Sequence, residues 1–305
     1  MGHFETIDGL LLLNKPAGLT SNQALQKVKR LLGAKKAGHT GSLDPSATGM
    51  LPLCFGEATK VCAFLLDADK TYRATARLGT ATNTGDADGT EVETADVPQL
   101  TADEWRGILE GFLGHSTQIP PMYSALKRDG KRLYELARKG EVVEREPRPI
   151  RIDEIDLLEI AGLRLVFRVR CSKGTYVRSL VEDIAKKAGT VAHTARLHRE
   201  TVGDFDAADM LELSGLEAAA EAGAEDLKAR LLPPDTALEG LSAVVLDQPG
   251  GARFCSGQQI TVQQEAAEGL VRVYGAVNEF LGVGELSNDG LLAPKRVFRT
   301  GEKNS

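Results

Sequence analysis

Residues 35–49 of the chain read KKAGHTGSLDPSATG, and three glycines and a proline predict a loop with a defined shape. His39 and Asp44 lie within it, and Pro45 biases Asp44 toward an extended backbone. A loop aspartate most often bonds to nearby amides, and a single histidine is more often structural than catalytic. The residues alone therefore leave both interpretations open. The stretch lacks the G-K-[ST] ending of a Walker A loop, which excludes that kind of phosphate site.

Two elements are predicted just before this loop. The leucine-rich residues 9–14 predict a short buried strand. Thr20 or Ser21 then caps a helix whose apolar side chains recur at helical spacing, and Gly33 ends that helix.

Farther along the chain, residues 71–78 and 163–171 alternate apolar and polar side chains and predict half-buried strands. Tyr72 falls on the apolar face of the first. A helix is predicted over 177–188, with Arg178 in its first turn. The helix dipole disfavours a cation there by a few tenths to about 1 kcal/mol, which a nearby anion would offset. Spacing alone does not say whether that anion is a carboxylate or a phosphate.

The second half of the chain changes character twice. Residues 129–139 predict a basic helix, and residues 205–230 predict acidic helical structure. Pro233 and Pro234 interrupt the helical pattern and indicate a boundary soon afterwards. Short β runs separated by glycines then predict a small β-barrel module from about residue 241; they cover 269–274, 280–286 and 296–298.

Charge is distributed unevenly over the 305 residues, whose net charge is −6. Residues 15–73 hold 9 Lys/Arg against 4 Asp/Glu, and residues 123–199 hold 18 against 11. Residues 200–269 hold only 3 against 14, so the acidic excess is concentrated there. Two basic segments are thus available to an anionic partner, although solvated helix faces would give the same counts.

Several classes of protein are excluded by the composition. A hydrophobic content of 42% and a charged content of 26% are ordinary for a globular chain. No apolar run approaches the roughly 20 residues that cross a bilayer, so we expect no membrane association and a cytoplasmic protein. The four cysteines form no C-x-x-C pair, so neither a metal site nor a disulfide framework is expected.

Several segments together resemble one family, the bacterial TruB-type tRNA pseudouridine synthases, which act on uridine 55 of the TΨC loop. The most specific is G-H-T-G-x-L-D-P-x-A-T-G within residues 36–52, and order and spacing match over roughly residues 9–200. One departure is Asn14, where the family often has Asp. The other matching segments are 13–21 (LNKPAGLTS), 56–60 (GEATK), 69–73 (DKTYR), 82–89 (TNTGDADG), 121–127 (PMYSALK) and 173–178 (KGTYVR).

The resemblance implies an α+β fold. Its catalytic domain, residues 1–240, would hold a central mostly antiparallel sheet flanked by helices. A basic insertion at about residues 122–151 would grip the RNA loop. Residues 241–305 would form a small PUA-like RNA-binding β-barrel module, since 253–257 and 292–297 resemble PUA sequences.

The resemblance also implies residue roles. Asp44 matches the catalytic nucleophile and Arg178 the arginine that pairs with it. His39 matches a loop histidine that helps to hold the displaced base, and Tyr72 and Tyr176 match residues that line the uridine pocket. Leu197 matches a further residue of the pocket wall.

The implied reaction agrees with the residue types. Uridine loses its N-glycosidic bond and rejoins the ribose through C5, an isomerisation that consumes no cofactor or metal. A carboxylate can attack either C6 of the base or C1′ of the ribose, and the sequence leaves both open. We expect a monomer whose partner is the TΨC stem-loop of tRNA.

Two alternatives remain at this stage. A non-catalytic tRNA-binding or RNA-folding protein could use the same surfaces, although intact Asp44, Tyr72 and Arg178 argue against it. A hydrolase using Asp and His is disfavoured because no nucleophile-base spacing stands out.

Overall fold

The computed structural model describes residues 5–124, 126–128, 130–137, 139–263 and 267–298. Its α-helices are α1 Ser21–Leu32, α2 Cys62–Asp67, α3 Ala102–Glu110, α4 Leu133–Ala137, α5 Val177–Lys187, α6 Leu213–Ala222, α7 Ala224–Lys228 and α8 Gln248–Cys255. The strands of the first 240 residues are β1 Gly9–Lys15, β2 Ala37–His39, β3 Thr48–Phe55, β4 Lys70–Leu78, β5 Thr80–Thr82, β6 Glu91–Thr94, β7 Gly114–Gln118, β8 Lys127–Arg128, β9 Lys131–Arg132, β10 Arg148–Ala161, β11 Arg164–Cys171, β12 Ala192–Val202 and β13 Leu211–Glu212. Those that follow are β14 Ser242–Val245, β15 Ile260–Thr261, β16 Gly269–Tyr274, β17 Phe280–Leu286 and β18 Leu291–Val297.

A nine-stranded sheet forms the centre of the molecule, in the order β13-β1-β3-β12-β4-β11-β10-β7, with β2 on β3. Its parallel pairs are β1 with β13 and β12 with β3, and the other recorded pairs in this sheet are antiparallel. The predicted α+β class and mostly antiparallel sheet are therefore confirmed.

Two groups of helices cover one face of this sheet, which we call the cleft face. One apolar cluster joins α1, α6 and α7 to β1 and β3, and another joins α3 and α5 to β4 and β11. Tyr72 and Leu197 pack against both clusters and so lie where the two meet. The register places Gly49 opposite Lys15 and Arg199, and Arg199 opposite Tyr72, so these four residues form one row on the cleft face.

The C-terminal strands form a separate five-stranded sheet, in the order β14-β16-β17-β18-β15. Its curled form is consistent with the predicted PUA-like module. Val283 and Phe298 of this region share an apolar cluster with Leu10, Cys54 and Val61 on the sheet face opposite the cleft. The module therefore packs against one half of that face.

Some local predictions are confirmed and others are wrong. Helix α1 begins after a Thr20 capping box and ends at Gly33, which adopts φ 64°, as expected. The predicted loop 35–49 also contains strand β2 and the start of β3, because residues 37–39 pair with 53–55. The last β run begins at Leu291, earlier than the predicted residue 296.

The predicted basic helix over 129–139 is wrong for much of its length. Residues 127–128 and 131–132 pair as a short hairpin, and within the described part of 129–139 only α4 is helical. Asp129 and Arg138 lie outside the described residues. A glycine at position 130, with φ 81°, supplies the turn that ends any continuous helix there.

Candidate active site

Asp44 lies in the connection between β2 and β3, residues 40–47, which we call the Asp44 loop. Three neighbours hold its backbone. The Ser21 hydroxyl donates to the Leu43 carbonyl at 3.1 Å and accepts the Leu43 N–H at 2.8 Å. The Gly18 N–H and the Lys15 ammonium both donate to the Pro45 carbonyl, at 2.8 and 3.2 Å. Asp44 is thus flanked on each side by a fixed peptide group.

Arg178 reaches Asp44 from the first turn of α5. Its Nε lies 2.9 Å from Asp44 Oδ2, and its Nη2 lies 3.4 Å from Oδ1, so the contact is two-pronged. The remaining donors go to the carbonyls of Thr84 and Tyr123, both at 2.7 Å. The Arg178 side chain is 6% exposed and that of Asp44 is 40% exposed. The carboxylate therefore has a buried partner on one side and an opening on the other.

A second acidic loop, residues 83–89, approaches the same guanidinium. Asp86 Oδ2 lies 3.5 Å from Arg178 Nη1, and Asp86 Oδ1 accepts from the Thr84 hydroxyl at 2.6 Å. In the sequence this loop stands out as a matching segment, but Asp86 was assigned no part in the site. Because the carboxylates of Asp44 and Asp86 share Arg178, the guanidinium charge stabilises each of them only in part.

The electrostatics of Asp44 follow from these neighbours. Burial raises the pKa of the Asp44 carboxyl above its ordinary value, while the Arg178 guanidinium opposes the rise and Asp86 adds to it. Lys15 also favours the ionised carboxylate. Lys15 itself is fully buried, and that burial lowers its pKa to about 8.

The other residues predicted for the site surround Asp44 from different elements. Tyr72 and Leu197, on β4 and β12, lie together where the two apolar clusters meet. Tyr176 precedes α5, and its main chain is held by Gln118 through bonds of 2.8 and 3.1 Å. Burial raises the pKa values of Tyr72 and Tyr176, so both phenols stay protonated at neutral pH.

His39 ends β2 at the start of the Asp44 loop. Its Nδ1 is buried and has no hydrogen-bond partner among the described residues. Burial lowers the pKa of His39, and the Arg199 charge lowers it further, so the imidazole is neutral at pH 7.

Arg199 is a site residue that sequence reasoning missed. It is 1% exposed, and it donates from Nε to the Met50 carbonyl at 2.7 Å and from Nη2 to the Gly41 carbonyl at 2.9 Å. Its backbone also crosses Gly49 closely, since a Cβ at position 49 would lie 2.2 Å from the Arg199 carbonyl oxygen. Arg199 therefore holds the start of the Asp44 loop and the strand β3 that follows it. Because Arg199 and Gly41 are 158 positions apart in sequence, no local pattern indicates this contact.

The described residues contain no group of three or more His, Cys, Asp or Glu side chains placed to hold a metal ion. Within the same residues, no helix is both long enough and apolar enough to span a bilayer.

Comparisons with known proteins give the site its context. Residues 29–177 match the TruB family pseudouridylate synthase (N terminal domain), and residues 178–239 and 242–298 match two C-terminal domains of the same enzymes. The tRNA pseudouridine synthase B of Dechloromonas aromatica (strain RCB) is 50% identical over 296 residues, 97% of each chain. That of Pseudomonas putida (strain GB-1) is 50% identical over 295 residues, 96% of each chain.

The chain belongs to the TruB family of pseudouridylate synthases. It is therefore an isomerase, a tRNA pseudouridine synthase. Its fold also matches that of a chain in the crystal structure of a Cbf5-Nop10-Gar1 complex, with a TM-score of 0.75 and 26% identity. The match covers 97% of this chain and 86% of that chain.

Proposed function

We propose that this enzyme converts uridine 55 in the TΨC loop of tRNA into pseudouridine, with Asp44 as the nucleophile. The observation that carries the proposal is the two-pronged contact of the buried Arg178 guanidinium with a carboxylate that keeps an open side. A buried cation holds the carboxylate in place, and the open side is where a nucleoside can approach.

The Asp44 carboxylate would attack either C6 of the base or C1′ of the ribose, and both routes fit its open position. In each case the N-glycosidic bond breaks, the base turns, and C5 bonds to C1′. On the C1′ route the carboxylate leaves C1′ as the bond to C5 forms, and on the C6 route it leaves C6 afterwards; on both routes C5 loses its proton and N1 takes one up. Reactant and product are isomers, so this chain's residues need only position the uridine, supply the nucleophile and move a proton.

Arg178 would keep Asp44 ionised and oriented. Burial favours the protonated carboxyl, which is not nucleophilic, and the guanidinium opposes this. Its planar fork also fixes the carboxylate in one orientation, which an ammonium group would not do.

Tyr72 and Leu197 would form the floor of a pocket for the base, and Tyr176 would form a side. A uridine in a folded loop has to leave its stack, and an aromatic ring replaces the lost stacking. His39, which is neutral and whose Nδ1 has no partner among the described residues, would help to hold the displaced base by hydrogen bonding rather than by charge.

The division of labour along the chain is part of the proposal. Residues 1–240 would catalyse the reaction, the basic insertion at 122–151 would grip the TΨC stem-loop, and the PUA-like module from residue 241 would add affinity for RNA. Because every proposed site residue comes from one chain, we propose that the enzyme acts as a monomer. We place it in the cytoplasm with its tRNA substrate.

The test uses unmodified tRNA transcripts and chemical mapping of pseudouridine at single-nucleotide resolution. We expect conversion at position 55 by the wild-type enzyme and none by Asp44→Asn. Asp103→Asn, which changes an exposed aspartate on α3, is the matched control and should react normally. Conversion at another position would refute the uridine 55 assignment. Binding of tRNA without any conversion would favour the non-catalytic alternative.

A further inference from the structure

The sheet face opposite the cleft carries a group of arginines that the proposed reaction does not use. We call it the arginine face; it consists of Arg73 and Arg77 on β4, Arg164 and Arg168 on β11, and Arg196 on β12. All five side chains are exposed. Side chains alternate along β4, so Tyr72, Ala74 and Ala76 point to the cleft face while these arginines point away from it.

The register of the strands places like charges directly opposite each other. Arg73 pairs with Arg168, and Arg77 pairs with Arg164. Arg196 pairs with Thr75 on the other side of β4, between these two pairs. Like charges opposite each other on one face destabilise a sheet, so this arrangement is costly unless an anion covers it.

Carboxylates neutralise only part of this group. Glu159 pairs with Arg164, and Glu200 lies 2.8 Å from Arg168. Two further acids, Glu154 and Asp156, lie on β10 opposite Arg170 and Arg168. These carboxylates therefore balance the positive charge on the side of the arginine face nearest β10.

Arg73, Arg77 and Arg196 have no ion pair or side-chain hydrogen bond to any described residue. The uncompensated charge is therefore centred on β4 and β12. Arg73 and Arg77 are four residues apart on one strand, which separates their Cα atoms by about 13 Å.

The surface between these arginines is shaped as well as charged. A depression of about 190 Å³ lies among Thr75, Arg77, Arg164, Ala195 and Arg196. Ala195 occupies an irregularity in the pairing of β12 with β4, where it is the one extra residue between Thr194, opposite Ala76, and Arg196, opposite Thr75. A small side chain at this position leaves the depression open.

We propose that the arginine face binds the phosphate backbone of an RNA duplex, as a second RNA surface on the side of the sheet opposite Asp44. Guanidinium groups match phosphate oxygens with two donors at once, and three unpaired ones are available. The outward residues of β4, β11 and β12 include His193 opposite Arg77 and His198 opposite Arg73 but no Phe, Tyr or Trp, so they favour phosphate contacts over base stacking. Binding there would be independent of sequence and strongly dependent on salt.

The experiment measures duplex binding while the cleft is occupied. The enzyme is saturated with unlabelled TΨC stem-loop, and a fluorescein-labelled RNA duplex without that loop is titrated by anisotropy. We expect the wild-type enzyme to bind the duplex under these conditions. The triple variant Arg73→Gln/Arg77→Gln/Arg196→Gln should weaken binding by at least about tenfold and flatten the log-log salt slope by about 2 to 3 units.

The control is Arg30→Gln/Arg106→Gln/Arg230→Gln, which removes the same charge from exposed positions on α1, on α3 and just after α7. It should keep duplex affinity within about twofold. Both triple variants should convert the stem-loop at the wild-type rate, so a failure of the proposed reaction would be seen separately. Arg196→Gln alone serves as a milder variant if the triple variant unfolds.

Three results would overturn the proposal. One is the absence of duplex binding when the stem-loop is saturating. Another is an equal loss of affinity in the two triple variants, which would show a general charge effect. The last is equal competition by polyglutamate, which would show that any polyanion, including an acidic protein segment, occupies the face.

Discussion

On the cleft face of the central sheet, the guanidinium groups of Arg178 and Arg199 are buried and donate to defined protein oxygens. On the opposite face, Arg73, Arg77 and Arg196 are exposed and have no carboxylate partner among the described residues. Arginine is therefore a structural residue with fixed partners on the cleft face. On the arginine face it is an exposed cation with no carboxylate partner among the described residues.

The difference follows from the free-energy cost of an unpaired guanidinium in each environment. A buried guanidinium without partners would be very unfavourable, so its neighbours are arranged to satisfy it, and they are held in place in return. An exposed guanidinium stays hydrated, so even where like charges face each other it does not require fixed partners from its neighbours. Substitutions on the cleft face should therefore change rate and stability, and those on the arginine face should change only affinity.

The largest effect should come from Asp44→Asn. The amide keeps the shape of the side chain but is not a nucleophile, so the single-turnover rate should fall by about 10⁴-fold or more, as for other nucleophile deletions. Affinity for tRNA should stay close to that of the wild-type enzyme. Rapid-quench assays at saturating tRNA measure the first quantity and filter binding the second. Turnover within about tenfold of wild type would remove Asp44 from this role.

Arg199→Met should have the next largest effect. Two buried carbonyls, those of Gly41 and Met50, would lose their donor at about 1–3 kcal/mol each. A displaced Asp44 loop should also slow the single-turnover rate by about 10- to 100-fold, while tRNA affinity holds. Denaturant unfolding and single-turnover assays test the two parts. A destabilised variant with a normal rate at saturating tRNA would show that Arg199 supports the fold but not the loop.

Gly49→Ala tests the close approach to β12 of strand β3, just after the Asp44 loop. A Cβ there would meet the Arg199 backbone at 2.2 Å, and Gly49 has φ 104°. We expect a loss of about 1–3 kcal/mol in the free energy of unfolding from overpacking, in addition to the backbone strain. Gly174→Ala is the control, since Gly174 has φ 83° but nothing within 4 Å of its Cβ. Equal losses in the two variants would mean that strain alone, and not contact, explains the glycine.

The smallest effect should come from Arg196→Gln on the arginine face. Its side chain is exposed and has no charged partner among the described residues, so the free energy of unfolding should change by less than about 0.5 kcal/mol. Any change should be stabilising, because a repulsive neighbour of Arg73 and Arg77 is removed. Thermal unfolding measures it. A clear loss of stability would mean that this arginine is part of the fold, and the contrast between the faces would fail.

Local signals in the sequence were enough for several elements. Alternation predicted β4 and β11, and an N-cap residue at Thr20 or Ser21 with a terminal glycine predicted α1. Such signals depend only on neighbouring residues, which explains their success. They failed for residues 129–139, where helix-forming residues surround Gly130 and the backbone turns back on itself.

Contacts between residues far apart in sequence could not be predicted from local signals. Asp44 and Arg178 are 134 positions apart, and no periodicity in the chain links them. The family resemblance predicted that these two residues pair, and the structure shows the distance between their side chains. Arg199 and Asp86 had no such pointer, since a buried arginine on a strand and an aspartate in a polar loop look like ordinary surface residues in sequence.

The most direct test of the account concerns the charge pairing of Asp44 with Arg178. Burial raises the pKa of Asp44 and Arg178 lowers it, so activity should be lost as the pH falls through that raised value and the carboxylate takes up a proton. Arg178→Met removes the opposing charge. It should therefore move the acidic limb of the pH profile to higher pH and slow the reaction by about 100-fold or more.

Single-turnover rates at saturating tRNA, measured across pH, decide the matter. Arg178→Lys keeps the charge but loses the planar fork, so its rate and its acidic limb should fall between those of the wild type and Arg178→Met. If the Met variant keeps the wild-type rate and the same acidic limb, and only binds tRNA more weakly, Arg178 acts on a phosphate and the pairing has no part in catalysis.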